Sequence, residues 1–387
     1  MNKVMFVGNG FDLAHDLLTS YGDFLEVMQC WNQIYKTAKN VNKGYLYADN
    51  WYLEKYIINA ANMNMDNLAE LDRIIQTNSW VYYFCNCEAE IDGWIDFERE
   101  IYPVIDLFKT LFSIKDDISS KEMAEISANK NYFNSRQIKL AKIWNTYLST
   151  SADRIVYVKP DYVSKQYGIL KKKILQSLKK EFDEFIKAFE IYLLEFVYSV
   201  EHKDVLKQIK KIKADYVISC NYTRTEELYG IDKNNVHHLH GVIREDIKED
   251  DDGKNVNGKK NNVVMGVNEQ KDQNMDFIYF VKYFQRIQKA SGTRYKDFVK
   301  DEYELHVYGH SLDETDKDIL KNIIGDKTEK GDFFYKPRKI YIYYYNQSDY
   351  EQKVINLIKL YGRPIVEAYM ENGVFEFVPT DSIKCAI

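Results

Sequence analysis

Four short stretches set glycine, polar or titratable residues directly behind apolar runs, where a strand would hand its chain to a loop. In "VGNGFD", Gly8 and Gly10 permit a tight turn and close backbone approach, and a following helix would point N–H groups at an anion such as a pyrophosphate. Asn9 and Asp12 fall in the same turn. Leu13 stands where the third glycine of G-x-G-x-x-G belongs, so a plain structural turn explains the stretch equally well. "CNYT" offers Asn221 and Thr223, for which an Asx turn is the simpler account. In "NVHHLHG", strand alternation sends His238 and His240 to one face and His237 to the other, before Gly241 turns the chain. One imidazole at a strand's carboxyl end suits proton transfer near neutral pH. Three histidines raise the question of a metal, but no carboxylate or cysteine stands at a defined spacing from them, and no metal is expected. "VYGHSLDETD" ends a strand in Gly309, His310 and Ser311, before a helix that Asp313 or Asp316 could start; ordinary punctuation with an acidic N-cap is the alternative.

What could position these residues is a set of five runs. The opening run continues into "DYVISCN" (215–221), "NVHHLHG" (235–241), "ELHVYGH" (304–310) and "KIYIYYYN" (339–346), each β-branched or aromatic and each stopping at a small or polar residue. Helical patterns separate several of them, which predicts an α/β fold with a parallel sheet covered on both faces. Ligands of such sheets bind beyond the carboxyl ends of the strands, so the four stretches would converge on one crevice.

Nearly two hundred residues between the first two strands read as helical. In 163–200, Leu175, Leu178, Phe182, Phe185, Phe189 and Phe196 recur at threes and fours. That stripe fits either an intramolecular bundle or a homodimer. The boundaries expected are a sheet core of 1–21 and 213–387 and an α-helical insertion of 22–212. Residues 246–262 are polar and charged, and read as a mobile surface loop.

The chain has 387 residues, of which 45% are hydrophobic, enough for a large core. A net charge of -6 argues against nucleic acid as a partner and leaves room for a small anionic ligand at a local site. Five scattered cysteines suit a reducing compartment. With neither a signal-peptide core nor a membrane-spanning run, a cytoplasmic protein without a membrane partner is expected.

Together "GNGFDLAHDLLTSYGDFL", "WIDFE" (94–98), "NYT", "HLHG" and "YGHSLDETDKDIL" resemble the AbiH family of bacterial phage abortive-infection proteins over nearly the whole chain. That family's core is in turn similar to the Rossmann-like sirtuin fold, which binds NAD, and distant antiphage relatives hydrolyse NAD. The resemblance implies that Gly8, Asn9 and Gly10, with Asp12 beside them, take the pyrophosphate, and that Gly309 and Ser311, with His310 between them, line the dinucleotide. It implies that Asn221 lies beside the nicotinamide ribose and that His240, followed by Gly241, is the base at the ribose hydroxyls. Thr223 replaces the aspartate that holds the nicotinamide amide in sirtuins, and the zinc-ribbon cysteines are missing, which argues against protein deacylation. Trp94, Asp96 and Glu98 belong to the AbiH pattern without a sirtuin counterpart, and a solvated acidic helix face with a buried Trp is their plain account. The expected activity is NAD hydrolysis at the nicotinamide–ribose bond, released by a phage-derived trigger. The alternatives are a module that senses NAD or ADP-ribose without turnover, and a nuclease using Asp12, Asp96 and Glu98 with a metal.

Overall fold

The computed structural model describes residues 1–41, 54–57, 62–86, 97–114, 133–151, 156–164, 166, 168–198, 205–243, 262–268, 275–327, 333–335 and 337–381. The chain forms two units, Met1–Ser20 with Phe196–Val264 and Arg286–Ile387, and Tyr21–Glu195 with Met265–Gln285. Against the boundaries expected from sequence, the helical unit gains the excursion Met265–Gln285, and the sheet unit gains Phe196–Ile212.

The main sheet of the first unit comprises six described strands, β1 (Asn2–Val7), β2 (Tyr216–Ser219), β3 (Val236–His238), β4 (Tyr303–Tyr308), β5 (Lys339–Tyr344) and β6 (Phe375–Pro379), and a separate antiparallel pair joins Gly325–Lys327 to Phe333–Tyr335. The order in the main sheet is β6-β5-β4-β1-β2-β3, and every pairing in it is parallel. All five runs expected to be strands lie in this sheet, whereas the edge strand β6 was not anticipated.

β1 is central. Val4 sits opposite Tyr216 on one side and Leu305 on the other. Burial on both faces is why "VMFV" is continuously apolar rather than alternating. Val4 and Phe6 enter a core with Ile218, Leu305, Val307 and Ile340, closed by the helices Lys317–Ile323, Gln347–Tyr361 and Arg363–Glu371. Met5 and Val7 enter the opposite core with Val217, Tyr308, Phe11, Ile209 and Ile212. The alternation of β1 thus divides two apolar layers and fixes its register, because a slip by one residue would exchange every contact.

The second unit is mainly helical. Its long helix Lys171–Tyr192 buries Ile174, Leu178, Phe182, Phe185 and Phe189, while Leu175 is half-buried. Trp80 packs against Phe182 and Trp144 with ring centroids 5.0 and 4.8 Å apart, so the apolar stripe is covered within the unit. Two small antiparallel pairs interrupt a region expected to lack strands: Leu148–Thr150 with Val156–Val158, and Val163–Ser164 with Gly168–Ile169. The second pair makes the helix start later than its periodicity predicts. Lys171 and Lys173 donate to the carbonyls of Phe112 and Asp161, and Lys179 pairs with Asp183, as on a solvated helix surface.

Among the described residues Cys30, Cys85 and Cys220 are thiols. No described helix is long and apolar enough to cross a membrane.

Candidate functional site

The loops after β1 and β4 meet backbone to backbone. The Gly8 N–H donates to the Tyr308 carbonyl (3.1 Å), that of Gly10 to Gly309 (2.8 Å) and that of Phe11 to Gly8 (2.9 Å). A Cβ on Gly10 would lie 2.8 Å from Gly309 Cα, and one on Gly309, at φ +67°, would lie 2.1 Å from Phe11 N. Close approach of two loops therefore accounts for these glycines. The amides of Gly8 and Gly10, expected to face a pyrophosphate, and that of Phe11 are engaged within the chain, and Asn9 Oδ1 accepts from Thr19 Oγ1 at 2.6 Å.

Behind this contact lies a buried polar cluster. The short helix Asn9–Leu13 turns Asp12 inward, where it is 1% exposed and its Oδ2 accepts from Thr223 Oγ1 at 2.6 Å. Burial lifts the Asp12 carboxyl from 3.8 to about 7, against the hydrogen-bonding influence of Thr223, Thr225 and Asn221 and with the help of the Glu226 charge. Asp12 Oδ1 and Asn221 Nδ2 are both buried with no well-formed hydrogen bond among the described residues. The Asn221 carbonyl faces His238 Nδ1 at 3.1 Å, and His238 Nε2 lies 3.1 Å from Glu226 Oε1. Burial lowers the His238 pKa, but Glu226 more than reverses that and holds it above the ordinary histidine value. With an acceptor at each ring nitrogen, the protonated form of His238 has a partner for both of its N–H groups.

The raised Asp12 value carries a stability prediction. Because its folded pKa, about 7, exceeds the unfolded 3.8, its contribution is fully present below about pH 3.8 and lost as pH rises through 7. Between about pH 5 and about pH 8 the wild-type chain should lose on the order of a few kcal/mol relative to Asp12→Asn, which cannot ionise. Urea denaturation of both proteins at the two pH values checks this; parallel behaviour would mean that Asp12 is already ionised in the native chain.

A second cluster lies where β3 and β4 end. Strand pairing stops at His238, so alternation does not carry on to His240. Gly241, at φ +82°, turns the chain where a Cβ would strike the Asn262 carbonyl oxygen at 2.0 Å. The His240 ring is thereby brought to Asp316, its Nε2 lying 3.4 Å from Oδ1. His310 Nε2 lies 3.3 Å from Oδ2 of the same carboxylate. The Leu312 N–H donates to His310 Nδ1 at 2.9 Å, so that nitrogen carries the lone pair and Nε2 carries the proton. One ligand atom each of Cys220, His310 and Asp316 lies within 4.8 Å of the other two, a spacing that could hold a metal ion. The His310 tautomer opposes it, since the Nε2 that faces the set is an N–H donor with no lone pair to give.

Gly8, Asn9, Gly10, Asp12, Asn221, Thr223, His240, Gly241, Gly309, His310 and Ser311 all belong to the sheet unit and follow the carboxyl ends of β1, β2, β3 and β4. Ser311 is exposed, and its carbonyl accepts from Asn356 Nδ2 at 2.9 Å. His237 stands apart, packed on Tyr295 with ring centroids 5.5 Å apart, and burial lowers its pKa to about 4. Trp94, Asp96 and the loop 246–261 lie outside the described residues, as does the side chain of Glu98 in the helix Phe97–Ser113.

Sequence reasoning missed Glu226 as the partner of His238 and cast Asp316 only as a helix cap. A carboxylate six residues after a strand-end histidine was the available signal for the latter. No curated protein and no solved structure matches the chain. The family model described as "Bacteriophage abortive infection AbiH" matches residues 4–335, and the chain therefore belongs to the AbiH family of bacteriophage abortive infection proteins.

Proposed function

We propose that this AbiH protein is an NAD hydrolase that cleaves the nicotinamide–ribose bond during phage abortive infection. Counted along the sheet, the strands run 3-2-1-4-5-6, the order of Rossmann-like dinucleotide-binding sheets, whose ligands lie outside the carboxyl ends at the reversal between β1 and β4. This supports a sirtuin-like core with NAD as substrate.

The observation that carries the proposal is Asn221. It follows β2, next to the strand that leads to His240, and its Nδ2 is buried without a well-formed hydrogen bond among the described residues. It has a hydrogen-bonding influence on the Asp12 carboxyl, so the amide is a loosely held donor at the carboxyl end of β2 that a ligand can draw away. In the reaction the C1′–N bond breaks and its electron pair leaves with nicotinamide. Asn221 orients water against the oxocarbenium-like C1′, and His240 takes a proton from a ribose hydroxyl or from that water, giving ADP-ribose.

Incubation of the purified protein with NAD, with and without lysate of phage-infected cells, should release nicotinamide, and Asn221→Ala should lower the rate about 10²-fold or more. A second reading, a module that senses NAD or ADP-ribose without turnover, draws on two features: Thr223 spends its hydroxyl on Asp12, and the amides of Gly8, Gly10 and Phe11 are engaged. Binding of NAD without nicotinamide release in either condition would favour it. Metal-dependent cleavage of nucleic acid would favour a nuclease instead.

A further inference from the structure

We infer that Asp316 is the positioning residue for His240, fixing its ring with the proton on Nε2 and leaving Nδ1 as the base, while His310 holds Asp316 in place. The inference deepens the hydrolase proposal and rests on it for the reaction that His240 serves.

Asp316 stands at the N-cap position of the helix Lys317–Ile323, yet its side chain makes no capping hydrogen bond. An aspartate that caps a helix stabilises it, and that stabilisation is forgone here. Three residues earlier Asp313 does what a cap does, its Oδ1 accepting from the Thr315 N–H at 3.0 Å. The Asp316 carboxylate instead faces two imidazoles from two different strand-end loops, Oδ1 toward His240 and Oδ2 toward His310. All three side chains are largely buried, at 11%, 6% and 5% exposure, where such a charge-assisted contact is worth more than at the surface.

The loop between His310 and Asp316 is shaped around the same contact. Leu312 is fully buried at φ +57°, a conformation that strains a non-glycine residue, and it delivers the N–H that fixes the His310 tautomer. With its Nε2–H set toward Oδ2, His310 keeps the carboxylate from rotating back to the helix end. Oδ1, which makes no well-formed hydrogen bond at the present separation, is then the acceptor toward which an N–H on His240 Nε2 is set, and the basic lone pair falls on Nδ1. When an O–H bond of the ribose or of water breaks, the proton forms the Nδ1–H bond. The imidazolium is stabilised by the Asp316 carboxylate, and the 3.4 Å separation shortens as the positive charge appears.

The full-length chain with ¹⁵N-labelled histidine tests this through its ring-nitrogen shifts. Wild-type His240 should show Nε2–H and an unprotonated Nδ1. In Asp316→Asn the amide can keep its oxygen on His310 and turn its NH₂ to His240, which moves the His240 proton to Nδ1. Nicotinamide release should fall about 10²–10⁴-fold in kcat with little change in KM, and Asp316→Glu should restore part of it. Asp313→Ala, which removes the cap alone, should lower Tm and leave the His240 shifts as they were. Unchanged His240 shifts in Asp316→Asn overturn the inference, and so does a loss of activity without a change of tautomer, because Asp316 would then act only by holding the loop. Absence of nicotinamide release from the wild-type protein overturns the hydrolase proposal, while the ring-nitrogen shifts still decide the role of Asp316.

Discussion

His240→Ala is expected to leave a folded protein whose release of nicotinamide from NAD falls about 10²–10⁴-fold, the contribution of one well-placed general base. The fold should survive for a local reason. His240 lies beyond the end of β3 and outside both apolar layers of the sheet, and what it gives the fold is its carbonyl, which accepts from the Val264 N–H at 2.8 Å. Alanine keeps that bond. Truncation removes one ring from Asp316 and leaves the carboxylate still bonded to His310. The check is paired: nicotinamide release under saturating NAD, and thermal unfolding of the same preparation. A variant with a wild-type Tm and an undiminished rate would remove His240 from the chemistry.

Gly309→Ala is expected to do the opposite, abolishing the fold together with every activity. The added Cβ would lie 2.1 Å from Phe11 N and 2.4 Å from Gly10 C, both backbone atoms, so no side chain can swing aside to make room. The positive φ adds the left-handed penalty of about 1–2 kcal/mol. Relief requires separating the β1 and β4 loops and breaking the Gly10 to Gly309 hydrogen bond between them. A loss of at least about 4 kcal/mol is expected, a large share of the roughly 5–15 kcal/mol that holds an ordinary domain folded. Gly230→Ala is the matched control: its φ is +69°, but nothing lies within 4 Å of the new methyl, so only the backbone penalty applies. Urea midpoints of the two variants separate steric contact from conformation; equal, small losses would mean that the loops yield.

Much of the frame was legible because it depends on local order in the chain. Runs such as "VMFV" and "DYVIS" are long enough to cross a buried sheet and end at small or polar residues, so their state as strands and the place of their loops follow from neighbouring residues alone. β6 escaped notice because "FEFVP" alternates over only a few residues and shows one buried position, Phe375. The sequence likewise marked where glycine is required but not what presses on it. Gly8 and Gly10 read equally well as a structural turn or a phosphate loop, and what the sequence does not show is that their nearest atoms belong to another loop about three hundred residues away along the chain.

Residue order alone marked the family, five of the six strands of the main sheet and the polar residues at their carboxyl ends. Which of those residues act on one another depends on how the chain folds back on itself. Asp12 titrates near 7 because of burial by elements remote in sequence, and Asp316 meets His240 because two loops converge beyond the sheet. Both effects depend on distances through space, to which residue spacing along the chain is blind.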